Sequence, residues 1–281
     1  MKLTTLSDAI ERHVRDGACI ALEGFTHLIP FAAGHEIIRQ GRRDLHLVRM
    51  TPDLVYDQLI GMGCARRLTF SWGGNPGVGS LHRLRDAVEH GWPAPLELDE
   101  HTHAGLAAAY CAGAARLPFG TLRGYLGTDL AAANPRVRSI ECPFTGERLA
   151  AVPAINPDVT ILHAQRADRR GNVALEGILG AQREAAFAAR SLVVTVEEIV
   201  DELPPALNGV VLPHWVVSAV AHCPGGAYPS YAQGHYARDN AFYQRWDAIA
   251  RERDAFRAWM QRHVLASRDH AGFLASLREA A

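Results

Sequence analysis

Cysteine is scarce in this sequence and badly placed for cross-linking. Five are present in 281 residues, Cys19, Cys64, Cys111, Cys142 and Cys223. None pairs with another at CxxC or comparable spacing, which argues against a disulfide framework and a thiolate zinc site; an odd, dispersed set reads as reduced thiols. Neither sign of charge is in excess. Twenty-nine basic residues stand against 30 acidic ones, for a formal net charge of -1, so there is no electrostatic footprint for nucleic acid. Long hydrophobic runs are also missing. No stretch approaches the roughly 20 apolar residues of a membrane span. The opening MKLTTLSDAIERHV carries charges where a signal peptide needs an apolar run. A soluble, cytoplasmic protein is expected. Two phosphate-binding motifs are absent as well: no GKS or GKT that would complete a P-loop, and no GxGxxG fingerprint. Fourteen histidines are present, but only His101 and His103 are closely spaced. A His-x-His pair on a strand presents both rings to one face. Nothing completes it to a ligand set, and no metal site is expected.

What is there is globular in composition, 48% hydrophobic and 21% charged. Apolar strand-like runs alternate with helical periodicity, which argues for an α/β fold with a mainly parallel open sheet flanked by helices. Ser7 is placed to cap a helix over Asp8–Asp16. Strands are expected over Ala18–Leu22, Leu45–Val48, Arg67–Phe70, Leu96–Thr102, Asp158–Ala164, Leu192–Val196 and Trp215–Val220. Helices are expected from Pro30 to Gly41, and over Pro52–Met62, Leu81–His90, Ala104–Cys111 and Leu179–Ala189. Pro118–Arg138 reads as an extended loop region. Cys142–Arg148 reads as a turn between two strands with Gly146 at its tip. Beyond Asp239 the pattern is helical and amphipathic. The chain therefore divides into an α/β domain, 1–237, and a helical C-terminal arm, 238–281, that packs on it.

Three glycine-containing segments follow expected strands: Glu23–Pro30, Ser71–Ser80 and Ala167–Asn172. In an open parallel sheet, ligands bind beyond the carboxyl ends of the strands, where such turns sit. Glycine there lets a backbone N–H approach a ligand oxygen. Each segment taken singly also fits an ordinary tight turn.

The wording of the segments is more specific. EGFTHLIP carries Gly-Phe-x-x-x-x-Pro at Gly24–Pro30, and Asn156–Asn172 reads NPDVTILHAQRADRRGN, with an HxQxADxxGN pattern. VTVEEIVD follows at Val194–Asp201, and CPGGAYPSYAQGHY comes later. From about Leu6 to about Phe273 the chain resembles the A (α) subunits of two-subunit family I CoA-transferases, the group acting on dicarboxylates such as 3-oxoadipate and glutaconate.

That resemblance implies reversible transfer of CoA from succinyl-CoA to 3-oxoadipate or a similar dicarboxylate in aromatic-compound breakdown. It also implies a ping-pong path through a glutamyl thioester, with no cofactor beyond the CoA thioester that is the substrate. The nucleophilic glutamate of such pairs lies in the β subunit, and no Ser-Glu-Asn-Gly turn occurs here. A β-subunit partner, in an α2β2 assembly, is expected to supply it. The backbone amides of Gly24 and Phe25 are the expected oxyanion contacts. Ser71, Asn75, Ser80 and Arg83 are candidate donors to a distal carboxylate, although Arg83 is equally well placed to pair with Asp86 on its own helix. The alternative enzyme is a ring-opening hydrolase of the steroid-degradation type, with Glu100 as base and Arg123 as its partner. A non-catalytic binding homologue is the remaining reading.

Overall fold

The computed structural model describes residues 2–75, 79–206 and 208–279. Pro76, Gly77 and Val78 of the second glycine segment lie outside the described residues. The chain opens with β1 (Leu3–Thr4), α1 (Leu6–His13), β2 (Cys19–Glu23), α2 (Phe31–Arg39), β3 (Leu45–Val48), α3 (Leu54–Gly61), β4 (Ala65–Phe70), α4 (His82–His90) and β5 (Glu97–Glu100). Then come α5 (His103–Ala114), β6 (Phe119–Leu122), α6 (Asp129–Ala133), β7 (Arg138–Glu141), β8 (Arg148–Pro153), β9 (Val159–Asp168), β10 (Val173–Glu176) and α7 (Gln182–Ala188). It closes with β11 (Ser191–Val200), β12 (Gly209–Leu212), β13 (Ala219–His222), α8 (Asn240–Arg251), α9 (Arg253–Trp259), a π-helical turn over Met260–Leu265, and α10 (His270–Glu279).

The larger sheet runs β1-β13-β11-β9-β2-β3-β4-β5. Each neighbouring pair in that order is parallel. Continuous apolar runs such as Ile20–Leu22 and Val193–Val194 are fully buried, as a sheet covered on both faces requires. Strands β2 to β5 step outward in one direction and β9, β11 and β13 in the other. The order therefore reverses between β2 and β9, and a crevice forms at their carboxyl ends.

Several expectations shift. Thr5, not Ser7, caps the first helix, its Oγ1 accepting from the Asp8 N–H at 3.1 Å. Pro118–Arg138 is not an extended loop: it holds β6 and α6 and runs into β7. Strands β6, β8 and β7 form a separate antiparallel sheet. Gly120 lets β6 press on α5, since a Cβ there would sit 2.5 Å from the Ala108 carbonyl oxygen. The expected turn over Cys142–Arg148 is present, with Gly146 at φ 69°. Strand β9 runs on to Asp168, past the expected end at Ala164, so Ala167–Asn172 closes an antiparallel hairpin onto β10. Trp215 lies in an exposed turn before the last strand.

The C-terminal helices share the main core. Phe242, Trp246 and Phe256 cluster with Ile37, Leu59 and Leu84 of α2, α3 and α4. The spacing of Phe242, Tyr243, Trp246 and Ala250 gives α8 one buried face. No helix among the described residues is long and apolar enough to cross a membrane.

Candidate active site

The loop after β2 lies at the point where the strand order reverses. Gly24 opens it in very close quarters: a Cβ there would stand 2.7 Å from the Leu28 carbonyl oxygen, 2.8 Å from that of His27 and 2.9 Å from the Ile29 Cα. Thr26 and Leu28 hold left-handed backbone, φ 64° and 51°, a conformation that non-glycine residues keep only where their surroundings enforce it. The enforcing contacts come from the chain before α8. The Leu28 N–H donates to the Tyr231 carbonyl at 2.9 Å, and the Ser230 hydroxyl donates to the Thr26 carbonyl at 3.2 Å. The His27 ring stacks on Tyr231 and its Nε2 donates to the Ile178 carbonyl at 2.7 Å.

Beneath this loop, at the end of β3, lies Arg49, 1% exposed. Its Nη2 donates to the Gly24 carbonyl at 2.8 Å and its Nη1 to Asp53 at 3.1 Å. The guanidinium also lies over the Tyr56 ring. A trans peptide points its N–H opposite to its C=O. By holding the Gly24 carbonyl, Arg49 therefore turns the Phe25 N–H the other way, where it meets no acceptor among the described residues. Glu23 is buried one residue earlier and accepts from the Met50 N–H at 3.2 Å and the Tyr110 hydroxyl at 2.9 Å. Burial pushes the Glu23 carboxyl up, against the opposing pull of Arg49. Burial likewise raises Asp53, again opposed by Arg49.

A cavity of about 310 Å³ opens beside the loop, lined by Phe25, Trp72, Arg49, Asp53, Arg238 and Tyr243 among others. The segment after β4 forms one wall: the Ser71 hydroxyl donates to the Met50 carbonyl at 2.7 Å, and the Gly74 N–H to that of Pro52 at 3.2 Å. The Arg238 guanidinium lies 3.8 Å from the centre of the Tyr243 ring.

Not every expected site residue comes to this cavity. Phe25 lines it, Gly24 adjoins Phe25, and Ser71 and Asn75 flank Trp72 and Gly74. The Asn75 Nδ2 donates to the Tyr243 carbonyl at 3.4 Å, and its buried Oδ1 has no partner among the described residues. Ser80 points elsewhere, its N–H meeting Asp247 at 3.3 Å. Arg83 is buried in the helical layer, bonded to Asp86 at 3.1 Å and the Arg251 carbonyl at 2.8 Å, with its guanidinium over Trp92. It is occupied there and does not line the cavity. Glu100 is exposed, and Arg123 pairs with Glu147 at 2.6 and 2.9 Å instead of Glu100. The carboxylate with partners is its neighbour Asp99, which meets Arg67, Thr69, Asn134 and His101 at 2.8 to 3.1 Å. Burial alone would raise Asp99; the bonds from His101, Arg67 and Asn134 outweigh it and hold the carboxyl well below the usual range. The His101 ring is thus bonded to Asp99 and, through Nδ1, to Tyr125 at 3.0 Å. Among the described residues no group of three or more His, Cys, Asp or Glu is placed to hold a metal.

The residues of the HxQxADxxGN pattern tie strands together. His163 meets Glu197 at 2.6 Å and Thr195 at 2.8 Å, joining β9 to β11. Gln165 bonds the Glu176 backbone through both ends of its amide, at 2.9 and 3.1 Å. Asp168 accepts from the Arg170 and Asn172 N–H groups, at 2.9 and 2.8 Å, and closes the hairpin. Arg49, Asp53, Arg238 and Tyr243 escaped the sequence reading. A signal for the first exists: an arginine ending the apolar run LHLVRM at a strand's carboxyl end is a charge that burial permits only with a partner. Arg238 and Tyr243 carry no such local signal.

The family model described as Coenzyme A transferase matches residues 3–222. The chain is 65% identical over 278 residues to the A subunit of 3-oxoadipate CoA-transferase from Pseudomonas knackmussii, covering 99% of each chain. The crystal structure of glutaconate CoA-transferase from Acidaminococcus fermentans superposes with a TM-score of 0.90 at 31% identity, over 99% of this chain and 93% of that one. A cholesterol ring-cleaving hydrolase subunit of Rhodococcus jostii is 29% identical, over 95% of this chain and 93% of its own.

Proposed function

The chain belongs to the coenzyme A transferase family, and from that premise we propose that it is the α half of an enzyme moving CoA from succinyl-CoA to 3-oxoadipate or a close dicarboxylate, in aromatic-compound degradation. The observation carrying this is the 65% identity along nearly the whole of both chains. The hydrolase reading needed Glu100 and Arg123 together; Arg123 is engaged by Glu147, and the hydrolase relative is far less similar.

In the proposed reaction a glutamate carboxylate on the partner chain attacks the thioester carbonyl of succinyl-CoA. The C–S bond breaks, CoA thiolate leaves and a mixed anhydride remains. The thiolate then attacks the glutamyl carbonyl, succinate leaves, and the CoA is held as an enzyme thioester. The acceptor acid reverses these steps and departs as its CoA ester. Splitting the exchange in this way replaces one difficult step with easier ones. Each attack places negative charge on a carbonyl oxygen. The Phe25 amide, turned away from Arg49, is the donor we assign to it, with Gly24 letting residues 27–29 close against the peptide; fixed donors aimed at the developing charge contribute more to acyl transfer than most other devices. Ser71 and Asn75 border the acyl group. Acyl exchange between carboxylates needs neither redox nor metal chemistry, so no cofactor beyond the CoA substrate is assigned. An α2β2 assembly in the cytoplasm fits this role.

The test is an assay of the co-purified pair with succinyl-CoA against a panel of carboxylic acids. Formation of 3-oxoadipyl-CoA with stoichiometric release of succinate is the expected result. Free CoA produced at a rate independent of added acid would refute it.

A further inference from the structure

Resting on the transferase reading, we infer that Arg238 binds the distal carboxylate of the dicarboxylic acyl group, making it the residue that selects a diacid over a monoacid. Three observations converge on it. The cavity beside the Phe25 amide holds two arginines, Arg49 and Arg238, and one carboxylate, Asp53. Asp53 is committed to Arg49 at 3.1 Å, whereas no carboxylate among the described residues lies within ion-pairing distance of Arg238. Arg238 is therefore the cavity's arginine without a carboxylate partner among the described residues. Second, the Tyr243 ring lies beneath the Arg238 guanidinium at 3.8 Å. Stacking holds the planar group by its face and fixes the direction of its N–H edge, the edge by which a guanidinium meets a carboxylate with two parallel bonds. Third, the cavity's apolar lining includes Phe25, Ile29 and Trp72, which suit the methylene chain between two acid groups.

Size argues for the acid over the CoA moiety as the source of the anion. About 310 Å³ is at the lower limit of ligand clefts, which run from about 300 to 1,000 Å³, and suits a six-carbon acid better than a nucleotide with its phosphates. This assignment replaces Arg83 as the cation expected to serve the distal carboxylate. Arg83 does not line the cavity and is already bonded to Asp86.

The experiment uses the assembled two-subunit enzyme with Arg238→Gln and Arg238→Lys. Two acceptors are compared: 3-oxoadipate and 3-oxohexanoate, which has a methyl group in place of the distal carboxylate. In a ping-pong reaction, kcat/KM for the acceptor reports only the second half-reaction, so the donor's own carboxylate does not enter. Arg238→Gln is expected to lower kcat/KM for 3-oxoadipate by about 10- to 100-fold, the weight of a hydrogen bond to a charged group. The diacid-to-monoacid ratio should fall by the same factor. Arg238→Lys should restore part of that ratio, because it keeps the charge and loses the fork; it also serves if the glutamine variant fails to assemble. An unchanged ratio in either assembled variant overturns the inference, whether turnover is lost for both acids equally or not at all. So does a rise confined to the KM for CoA thioesters, which would assign the guanidinium to a CoA phosphate. Wild-type enzyme that moves CoA to neither acid would instead refute the transferase reading itself.

Discussion

Arg49 has Asp53 on one nitrogen, the Gly24 carbonyl on another and the Tyr56 ring against its face. Arg49→Met leaves Asp53 buried without its cation. Breaking a buried pair from one side costs about 3–5 kcal/mol, to be read in chemical denaturation. Adding Asp53→Asn should recover much of that stability but not the turnover, since the Gly24–Phe25 peptide stays unanchored. Full turnover in the stable double variant would remove Arg49 from the positioning role. Gly24→Val acts on the same peptide from the other side. The new Cβ meets backbone atoms of His27, Leu28 and Ile29, which cannot rotate aside as a side chain would. A loss of about 100-fold in kcat is expected, the scale of one missing oxyanion donor, with a stability cost of about 1–3 kcal/mol for the overpacking. Wild-type turnover in an assembled Gly24→Val complex would count against the loop's assigned part. The glycine loop was legible because its residues are contiguous. Arg238 was not, because it reaches the cavity from a segment more than 200 residues away in sequence, and only the packing of α8 brings it there.

Helix α4 shows how an element depends on one carboxylate. Asp57 of α3 accepts from the Arg83 and Leu84 N–H groups, at 2.8 and 2.9 Å, so it caps the first turn of α4 from a neighbouring helix. Burial pushes its carboxyl up to about 6, against the opposing effect of those two bonds. An acid raised on folding holds its proton more tightly folded than unfolded. Its contribution is therefore greatest below its ordinary value of 3.8 and is lost as pH rises through about 6. The shift corresponds to roughly 3 kcal/mol. Asp57→Asn keeps an acceptor for both N–H groups and has no proton to lose. Its denaturation midpoint relative to wild type should accordingly be higher at pH 7.5 than at pH 4.5; an equal or reversed difference would refute the assignment. Strand and helix spacing made β2 to β4 and α2 to α4 legible, since each has an apolar run or face of its own. The β6–β8–β7 sheet escaped for the opposite reason. Its strands are four to six residues long, β6 and β7 have no fully buried residue, and all three are stabilised by pairing with one another more than by any pattern each carries alone.

At the scale of the molecule, the parallel sheet and the C-terminal helices form one packed body. Trp246 is fully buried among Phe242, Phe256 and Trp259. Trp246→Ala should cost about 3–5 kcal/mol in denaturation of the assembled enzyme. A loss below about 1 kcal/mol would mean the helices from Asn240 onward are an appendage. The same body holds at the β2–β9 crevice a cavity lined by two arginines, and the proposed reaction assigns its nucleophile to a partner. Mass spectrometry of the co-purified pair incubated with succinyl-CoA, with and without borohydride, tests that division of labour most directly. The expected result is a CoA thioester on one glutamate of the partner chain, none on this chain, discharge of the adduct by 3-oxoadipate, and its loss as an alcohol on reduction. Turnover by this chain alone, or hydrolysis of the CoA ester with no adduct on either chain, would contradict it.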